Sequence, residues 1–328
     1  MTRSTVHTNP FYSLRWLSGV ALLALLAMLS MMVGVMDLSL THLTDEATQV
    51  LLISRIPRTL AVMLTGISLA VAGMVMQMLA RNRFVEPSTT GTLESALLGM
   101  LVMTLFAPGL GVLSKTLIAT AFAMVGSLIF MLLLRSIPLR STVMVPLVGI
   151  MFSSVVAAVA TFIAYRFNLL QSLANWTNGD FSVLLRGRYE LLWVTLICAV
   201  LAYLYADRFT LAGMGRSFTT NLGMNYALVL FTGLLLVSMI AAITVTTAGV
   251  VPFLGLVVPN VVSLMMGDNL RRSLPWVALL GAGFMLFCDL LSRLLRYPYE
   301  VPVGTVMGVI GSVFFIYLLL KRTQPSHV

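Results

Sequence analysis

Arg55-Ile-Pro-Arg58-Thr-Leu-Ala-Val-Met-Leu-Thr-Gly66 continues through Gly73-Met-Val-Met-Gln77 to Leu79 before charge returns at Arg81 and Arg83. Between Pro57 and Leu79 the only ionisable side chain is Arg58. An apolar run of that length, wound at ~1.5 Å per residue, crosses the ~30 Å hydrocarbon layer of a bilayer. Pro57 suits the first turn of a helix, where its missing N–H is no loss. Gly66 and Gly73 stand seven apart on one face and let another helix approach closely. Gln77 places a polar group near the far end, and Pro87 and Gly91 break the chain before the next apolar run. The stretch reads as a packed membrane helix followed by a loop.

The rest of the chain repeats this pattern. Of 328 residues, 59% are hydrophobic and 9% are charged, against roughly a quarter charged in an ordinary soluble domain. A globule of this size cannot hide that much apolar surface, which excludes a soluble enzyme, a disulfide-stapled secreted domain and a disordered chain. About ten apolar segments lie between charges: Leu14–Val35, Pro57–Leu79, Leu93–Phe106, Ser114–Leu134, Val143–Ala164, Leu191–Tyr205, Leu228–Ile243, Phe253–Met266, Leu274–Leu291 and Pro302–Leu320. The expectation is an all-α polytopic membrane protein with about ten transmembrane helices, a single domain over residues 1–328. The first segment follows Arg3 and Arg15 as a signal peptide would. Its apolar run is too long and no small-residue cleavage site follows, so it is expected to remain as a helix. Leu93–Phe106 and Phe253–Met266 have 14 residues each, too few for a straight crossing. Short helices are tolerated where protein covers them or where they line a cavity, which favours a transporter.

The formal net charge of +9 is carried by 18 Arg and 2 Lys against 11 acids. These cations stand singly between apolar runs, where membrane lipid anchors them, so no nucleic-acid partner is expected. With the N-terminus placed inside, twelve fall in the cytoplasm: Arg3, Arg15, Arg81, Arg83, Arg135, Arg140, Arg208, Arg216, Arg271, Arg272, Lys321 and Arg322. Eight fall outside: Arg55, Arg58, Lys115, Arg166, Arg186, Arg188, Arg293 and Arg296. The bias puts both termini in the cytoplasm. Arg55, Arg58, Arg293 and Arg296 run against it. They either snorkel to lipid phosphate or meet an acidic partner. Cys198 and Cys288 lie in apolar runs and read as small core residues. His7, His42 and His327 fall outside the spans, so no metal site is expected, and no catalytic set is visible.

Asp289 reads as the one acid within a span. Unpaired, it would suggest an ion-coupled secondary transporter. Arg293, four residues on, has ion-pair spacing. Glu300 suits the start of the tenth span. Gly149, Ser153 and Ala157 on the fifth span, and Gly304 and Gly308 on the tenth, form small-residue faces that admit close helix packing. In the loop at 207–226, Leu211, Met214, Phe218 and Leu222 recur at helical spacing, punctuated by Arg216, Asn221 and Gly223. By itself this is an amphipathic segment, able to lie on lipid or on a partner.

The second span, with its Arg55-Ile-Pro-Arg58 entry, Gly73-to-Gln77 segment and Arg81-Asn82-Arg83-Phe-Val-Glu86-Pro87 exit, resembles that of the FecCD-type permeases. These are the membrane subunits of ATP-driven importers for iron–siderophore complexes and vitamin B12. Gly249-Val-Val-Pro252-Phe-Leu-Gly255-Leu-Val-Val-Pro259-Asn260, Gly267-Asp268-Asn-Leu-Arg271-Arg272, and Asp289, Arg293 and Glu300-Val-Pro302-Val-Gly304 follow the same family pattern in order. Departures are Arg83 for the usual Pro, Asn260 for His and Ser263 for Arg. Asn260-Val-Val-Ser263 looks like the subset associated with catecholate and related siderophores.

The resemblance implies a type II ABC importer permease fold in a bacterial cytoplasmic membrane. Implied partners are a second permease subunit, two cytoplasmic ATPases holding ATP and Mg, and an external substrate-binding protein. No G-x-x-x-x-G-K-[ST] occurs in this chain, so it is not expected to hydrolyse ATP itself. By the same resemblance, Arg55, Arg58 and Arg293 would dock acidic residues of the binding protein. Leu211, Met214, Arg216, Phe218, Asn221, Leu222 and Gly223 would couple to the ATPase. Gly149, Ser153, Ala157, Gly304 and Gly308 would face the other permease and the pathway. The transported cargo would be a ferric siderophore; the alternative is the ion-coupled transporter using Asp289.

Overall fold

The computed structural model describes residues 10–34, 45–136, 143–267 and 269–322. Arg3, Arg140, Asp268, Val35 and the three histidines lie outside the described residues. The chain begins with α1 (Pro10–Met32). Next, α2 (Asp45–Val50) passes through a π turn over Leu51–Arg55 into α3 (Ile56–Leu79). Three helices follow, α4 (Thr92–Phe106), α5 (Val112–Ser136) and α6 (Met144–Arg166). The short α7 (Leu170–Thr177) leads to α8 (Leu192–Leu204), and then to the short pair α9 (Ala206–Gly213) and α10 (Arg216–Asn221). The chain closes with α11 (Tyr226–Ala248), α12 (Leu254–Met266), α13 (Leu270–Leu294) and α14 (Val303–Arg322). No strand occurs among the described residues.

Each of the ten apolar segments falls on a helix. Six helical stretches are long and apolar enough to cross a membrane, α8 and α9 form a further pair bent by 63°, and three apolar helices are shorter. The short ones are those at Thr92–Phe106, Leu254–Met266 and Val303–Tyr317. Two of the three are the segments whose length marked them as short in the sequence.

The helix quoted first is the centre of the bundle. In its most apolar stretch 83% of residues are buried, against 6% for α1. Its two glycines make this possible. A Cβ on Gly66 would stand 2.5 Å from the Gly281 carbonyl of α13, and one on Gly73 would stand 2.1 Å from the Gly255 carbonyl of α12. Backbone therefore meets backbone at both crossings, the close approach small residues permit in membranes.

Prolines bend this scheme without leaving polar groups stranded. In a regular helix the Ile53 carbonyl would accept the N–H of residue 57. Pro57 has none, the helix widens into the π turn, and the Ile53 carbonyl accepts the Arg186 N–H at 3.0 Å. Likewise Pro259 cannot donate to the Gly255 carbonyl, and Gln77 Nε2 does so at 3.3 Å. Buried backbone acceptors in an apolar bundle need such partners.

On the small faces of the fifth and tenth spans, Gly149, Ser153 and Gly304 are engaged within the chain, which corrects the reading of these three as a surface for the other permease. A Cβ on Gly149 would lie 2.2 Å from the Thr89 carbonyl. Ser153 is buried and donates to the Ser88 carbonyl at 3.4 Å. A Cβ on Gly304 would lie 2.7 Å from the Gly179 nitrogen, and Gly304 N–H donates to the Gly179 carbonyl at 2.9 Å. Gly308 has Pro252 Cγ at 3.8 Å, and Ala157 is half-buried. At Gly149, Ser153 and Gly304 small residues are needed because loops of the same subunit press against these helices.

We predict that Gly73→Val lowers the yield of folded, monodisperse protein sharply, because helix backbones cannot yield as side chains do. Gly109→Ala, with nothing within 4 Å of the added carbon, should leave yield and melting temperature unchanged. Both are read by detergent-phase size exclusion and thermal melting.

Candidate functional site

Three features stand out: a buried charge cluster at one end, an irregular segment penetrating the bundle, and an exposed apolar patch at the opposite end.

The cluster gathers residues from α1, α3 and α13, the π turn and the loop before the last helix. Arg58, on the first turns of α3, donates through Nη2 to Asp289 Oδ1 at 2.9 Å and through Nη1 to Glu300 Oε2 at 2.7 Å. Arg293 donates to the other Asp289 oxygen, one helical turn away on α13. Asp289 is fully buried, and both its oxygens are engaged. Two cations and two anions balance to zero, which is how charge is accommodated away from water. Arg293 also donates to the Ser30 carbonyl at 2.8 Å and the Val33 carbonyl at 3.1 Å. Arg55 donates to the Met31 and Met32 carbonyls at 2.8 and 2.9 Å. The last turn of α1 thus has its free carbonyls, and its negative dipole end, covered by two guanidinium groups.

This arrangement corrects the expectation for Arg55, Arg58 and Arg293. They are 6%, 8% and 5% exposed, and their charge is directed to partners in their own chain. Exposed cations assigned to this side include Arg186, Arg188 and Arg296. The ion-pair spacing of Asp289 and Arg293 is borne out. A carboxylate held by two guanidinium groups has no oxygen free for the ion coupling considered above.

The second feature is the 80–91 segment. Glu86 is buried, and its Oε1 accepts the Phe253 N–H at 2.7 Å, at the entrance of α12. The carboxylate sits at a helix N-terminus, where backbone donors and dipole favour it. Asn260 Nδ2 donates to the Arg83 carbonyl at 2.8 Å and to the Leu256 carbonyl at 2.7 Å. Asn260 therefore ties α12 to the 80–91 segment. Gly91, with φ of +73°, starts α4 from the left-handed region. Glu94 lies in the first turn of α4, and its Oε2 is buried without a hydrogen-bond partner. The reading of Asp289 as the one acid within a span is thereby corrected. Glu94 stood inside the Leu93–Phe106 run and was legible there; the depth of Glu86, in a loop by sequence, was not.

The third feature is the α9–α10 hairpin. Gly215, at φ +114°, turns the chain between the helices, and Thr219 Oγ1 clips α10 to the Leu211 carbonyl at 3.0 Å. Met214, Phe218 and Leu222 are 57%, 45% and 54% exposed. Arg216, Asn221 and Gly223 are exposed beside them, and Leu211 is half-buried. The helical spacing read from the sequence is carried by two short helices. Asp207 and Arg271 pair at 2.5 Å across the base of the hairpin.

A bundle of apolar helices with broken spans, a mid-bundle polar segment and an apolar patch on a helical hairpin at one end is the construction of a multi-pass transport permease. Residues 22–321 match the FecCD transport family, and the chain belongs to it. It is 45% identical over 304 residues to the petrobactin import system permease protein YclN of Bacillus subtilis, covering 92% of this chain and 96% of that one. It is 43% identical over 280 residues to the ferric-anguibactin transport system permease protein FatD of Vibrio anguillarum, covering 85% and 89%. A structure described as a metal-chelate type ABC transporter in an inward-facing conformation superposes with a TM-score of 0.79 at 24% identity, covering 93% of this chain and 98% of that one. The fold is that of an ABC importer permease.

Removing Asp289 would leave two buried guanidinium groups without their shared anion. Asp289→Ala is expected to destabilise the protein by about 3–5 kcal/mol, seen as a large drop in melting temperature and loss of α1 protection in hydrogen exchange. Glu300→Gln, at the partly exposed edge of the cluster, should have a much smaller effect.

Proposed function

We propose that this chain is the membrane subunit of an ABC importer that carries a ferric siderophore across a bacterial cytoplasmic membrane, with both termini in the cytoplasm. The observation that carries the substrate class is the near-full-length similarity to petrobactin and anguibactin permeases. ATP and Mg belong to two copies of a cytoplasmic ATPase, since this chain lacks a phosphate-binding P-loop. A second permease, a copy or a paralogue, completes the pathway. Exposed apolar side chains on α6 (Met151, Val155, Phe162) and α14 (Val309, Val313, Ile316) offer it a surface on the opposite side from the small faces.

Coupling runs through the α9–α10 hairpin. Met214, Phe218 and Leu222 enter an apolar groove of the ATPase, and closure of the ATPase pair on ATP displaces the hairpin. α9 follows α8 through a single bend, so that motion reaches the bundle by a short lever. At the other end, an acidic binding protein docks on the exposed Arg186, Arg188 and Arg296. Arg55, Arg58 and Arg293 act by fixing the helix ends beneath that surface. The 80–91 segment and α12, joined through Glu86 and Asn260, form the polar interior that alternating access would expose to each side in turn.

Phe218→Asp would bring a charge into the apolar contact at a desolvation penalty of order several kcal/mol. The ATPase should no longer co-purify, while the permease stays folded; normal assembly and transport would remove the hairpin from the coupling role. Docking is tested by reversing Arg186, Arg188 and Arg296 to Glu together and measuring binding-protein association in nanodiscs. Single exposed pairs are worth only about 0–1 kcal/mol, so the triple variant is the informative one, and its loss should grow as salt falls. Unchanged, salt-insensitive association would return the docking role to the cluster. Uptake of radiolabelled iron by a deletion strain, offered catecholate and hydroxamate chelates separately, tests the substrate class.

A further inference from the structure

α1 is a peripheral helix attached at its two ends. At one end Arg55 and Arg293 hold its last carbonyls. At the other, Trp16 packs edge-on against Trp276 of α13, ring centroids 4.8 Å apart, and Gly19 lies against Leu279. Between these attachments Leu23, Leu26 and Ala27 pack on the bundle, and α1 leaves space beside that contact. A cavity of about 510 Å³ opens there among α1, α12, α13 and α14, with Leu22, Leu26, Val261, Phe284 and Phe287 along its wall. That wall carries no charged side chain. Towards the Trp16 end it is continued by a smaller cavity that shares Trp276 and Leu280 and is bounded by Arg15. The Arg15 side chain is exposed and has no ion pair among the described residues.

An apolar groove inside the membrane with an unpaired cation at one mouth has the polarity of a phospholipid. The geometry points to a bound phospholipid here, with one acyl chain in the groove beneath α1 and an anionic headgroup held by Arg15. The dimensions agree. Leu22 and Leu26 lie about 10 and 16 Å along the helix from Arg15, so a chain entering at the headgroup would run the groove's length toward the bilayer centre. Arg15, near the start of the first span, lies where basic residues meet anionic headgroups. The lipid would supply packing for a helix of which only 6% of the most apolar stretch is buried.

The test is native mass spectrometry of the assembled permease complex released from mild detergent, followed by re-addition of phosphatidylglycerol or phosphatidylethanolamine. The wild type should retain one phospholipid per chain and prefer phosphatidylglycerol at least fivefold. Arg15→Gln should lose the preference, and Arg15→Lys should keep most of it. Gly283→Phe fills the groove, since a Cβ there meets only Leu23 and Leu26 methyls at 4.0 Å; retention should fall at least tenfold while the complex remains assembled. Retention by Gly283→Phe equal to the wild type would overturn the site. So would a wild-type complex that carries no lipid, or a disulfide from Phe287→Cys to an engineered cysteine on the second permease, which would show a protein helix in the groove. If Gly283→Phe fails to assemble, Leu22→Trp narrows the same groove from the α1 side and is read identically.

Discussion

Asp289 is the constraint on which one end of this molecule depends. A carboxylate with no exposed surface is tolerable in an apolar bundle only when its charge is met at short range, and here two guanidinium groups meet it. Each of those groups is anchored elsewhere: Arg58 reaches Glu300 before the last helix, and Arg293 reaches the end of the first. One buried acid thereby fixes the relative height of α1, α3, α13 and the entry to α14. The ~20 Å or more between Arg58 and the 80–91 segment, set by the helical rise, is spanned by α3, whose glycines allow two partner helices to touch its backbone.

A second theme is how polar backbone is managed where helices break. Pro57 and Pro259 each remove a donor from a helix ladder, and in each case a group from a distant part of the chain approaches the acceptor left behind. The N-terminus of α12 is covered by Glu86, whose loop is in turn held by Asn260. In water these groups could rely on solvent. In hydrocarbon they need protein partners, so each break is also a tertiary contact. Breaks of this kind permit an irregular polar segment at mid-bundle without unfolding it, and such a segment is what a transport pathway requires.

The functional surfaces follow from which side of each element the interior claims. On α6 and α14, Gly149, Ser153 and Gly304 are pressed by loops of the same subunit, leaving the bulky apolar faces outward. On α9 and α10, Ala212 and Thr219 are buried while Met214, Phe218 and Leu222 are not. Apolar side chains left at the surface of a short, structured hairpin are suited to receive a partner, and the bend after α8 connects that hairpin directly to a span.

The sequence by itself determined the all-helical membrane class, the positions of the apolar segments, the two short helices, the Asp289–Arg293 pair, the close-packing role of Gly66 and Gly73, and the family. These are legible because they rest on local quantities: run length, helical spacing and motif order. Only the tertiary structure decided where the arginines direct their charge. Arg58 and Glu300 are 242 positions apart, and no periodicity links them. It also decided that Gly149 of α6 and Gly304 of α14 pack inward, because a small residue is equally suited to a partner subunit or to a loop of its own chain. The depth of Glu86 was hidden for a related reason. A polar residue beside a proline reads as solvated loop until the fold carries that loop into the bundle and sets a helix N-terminus against it.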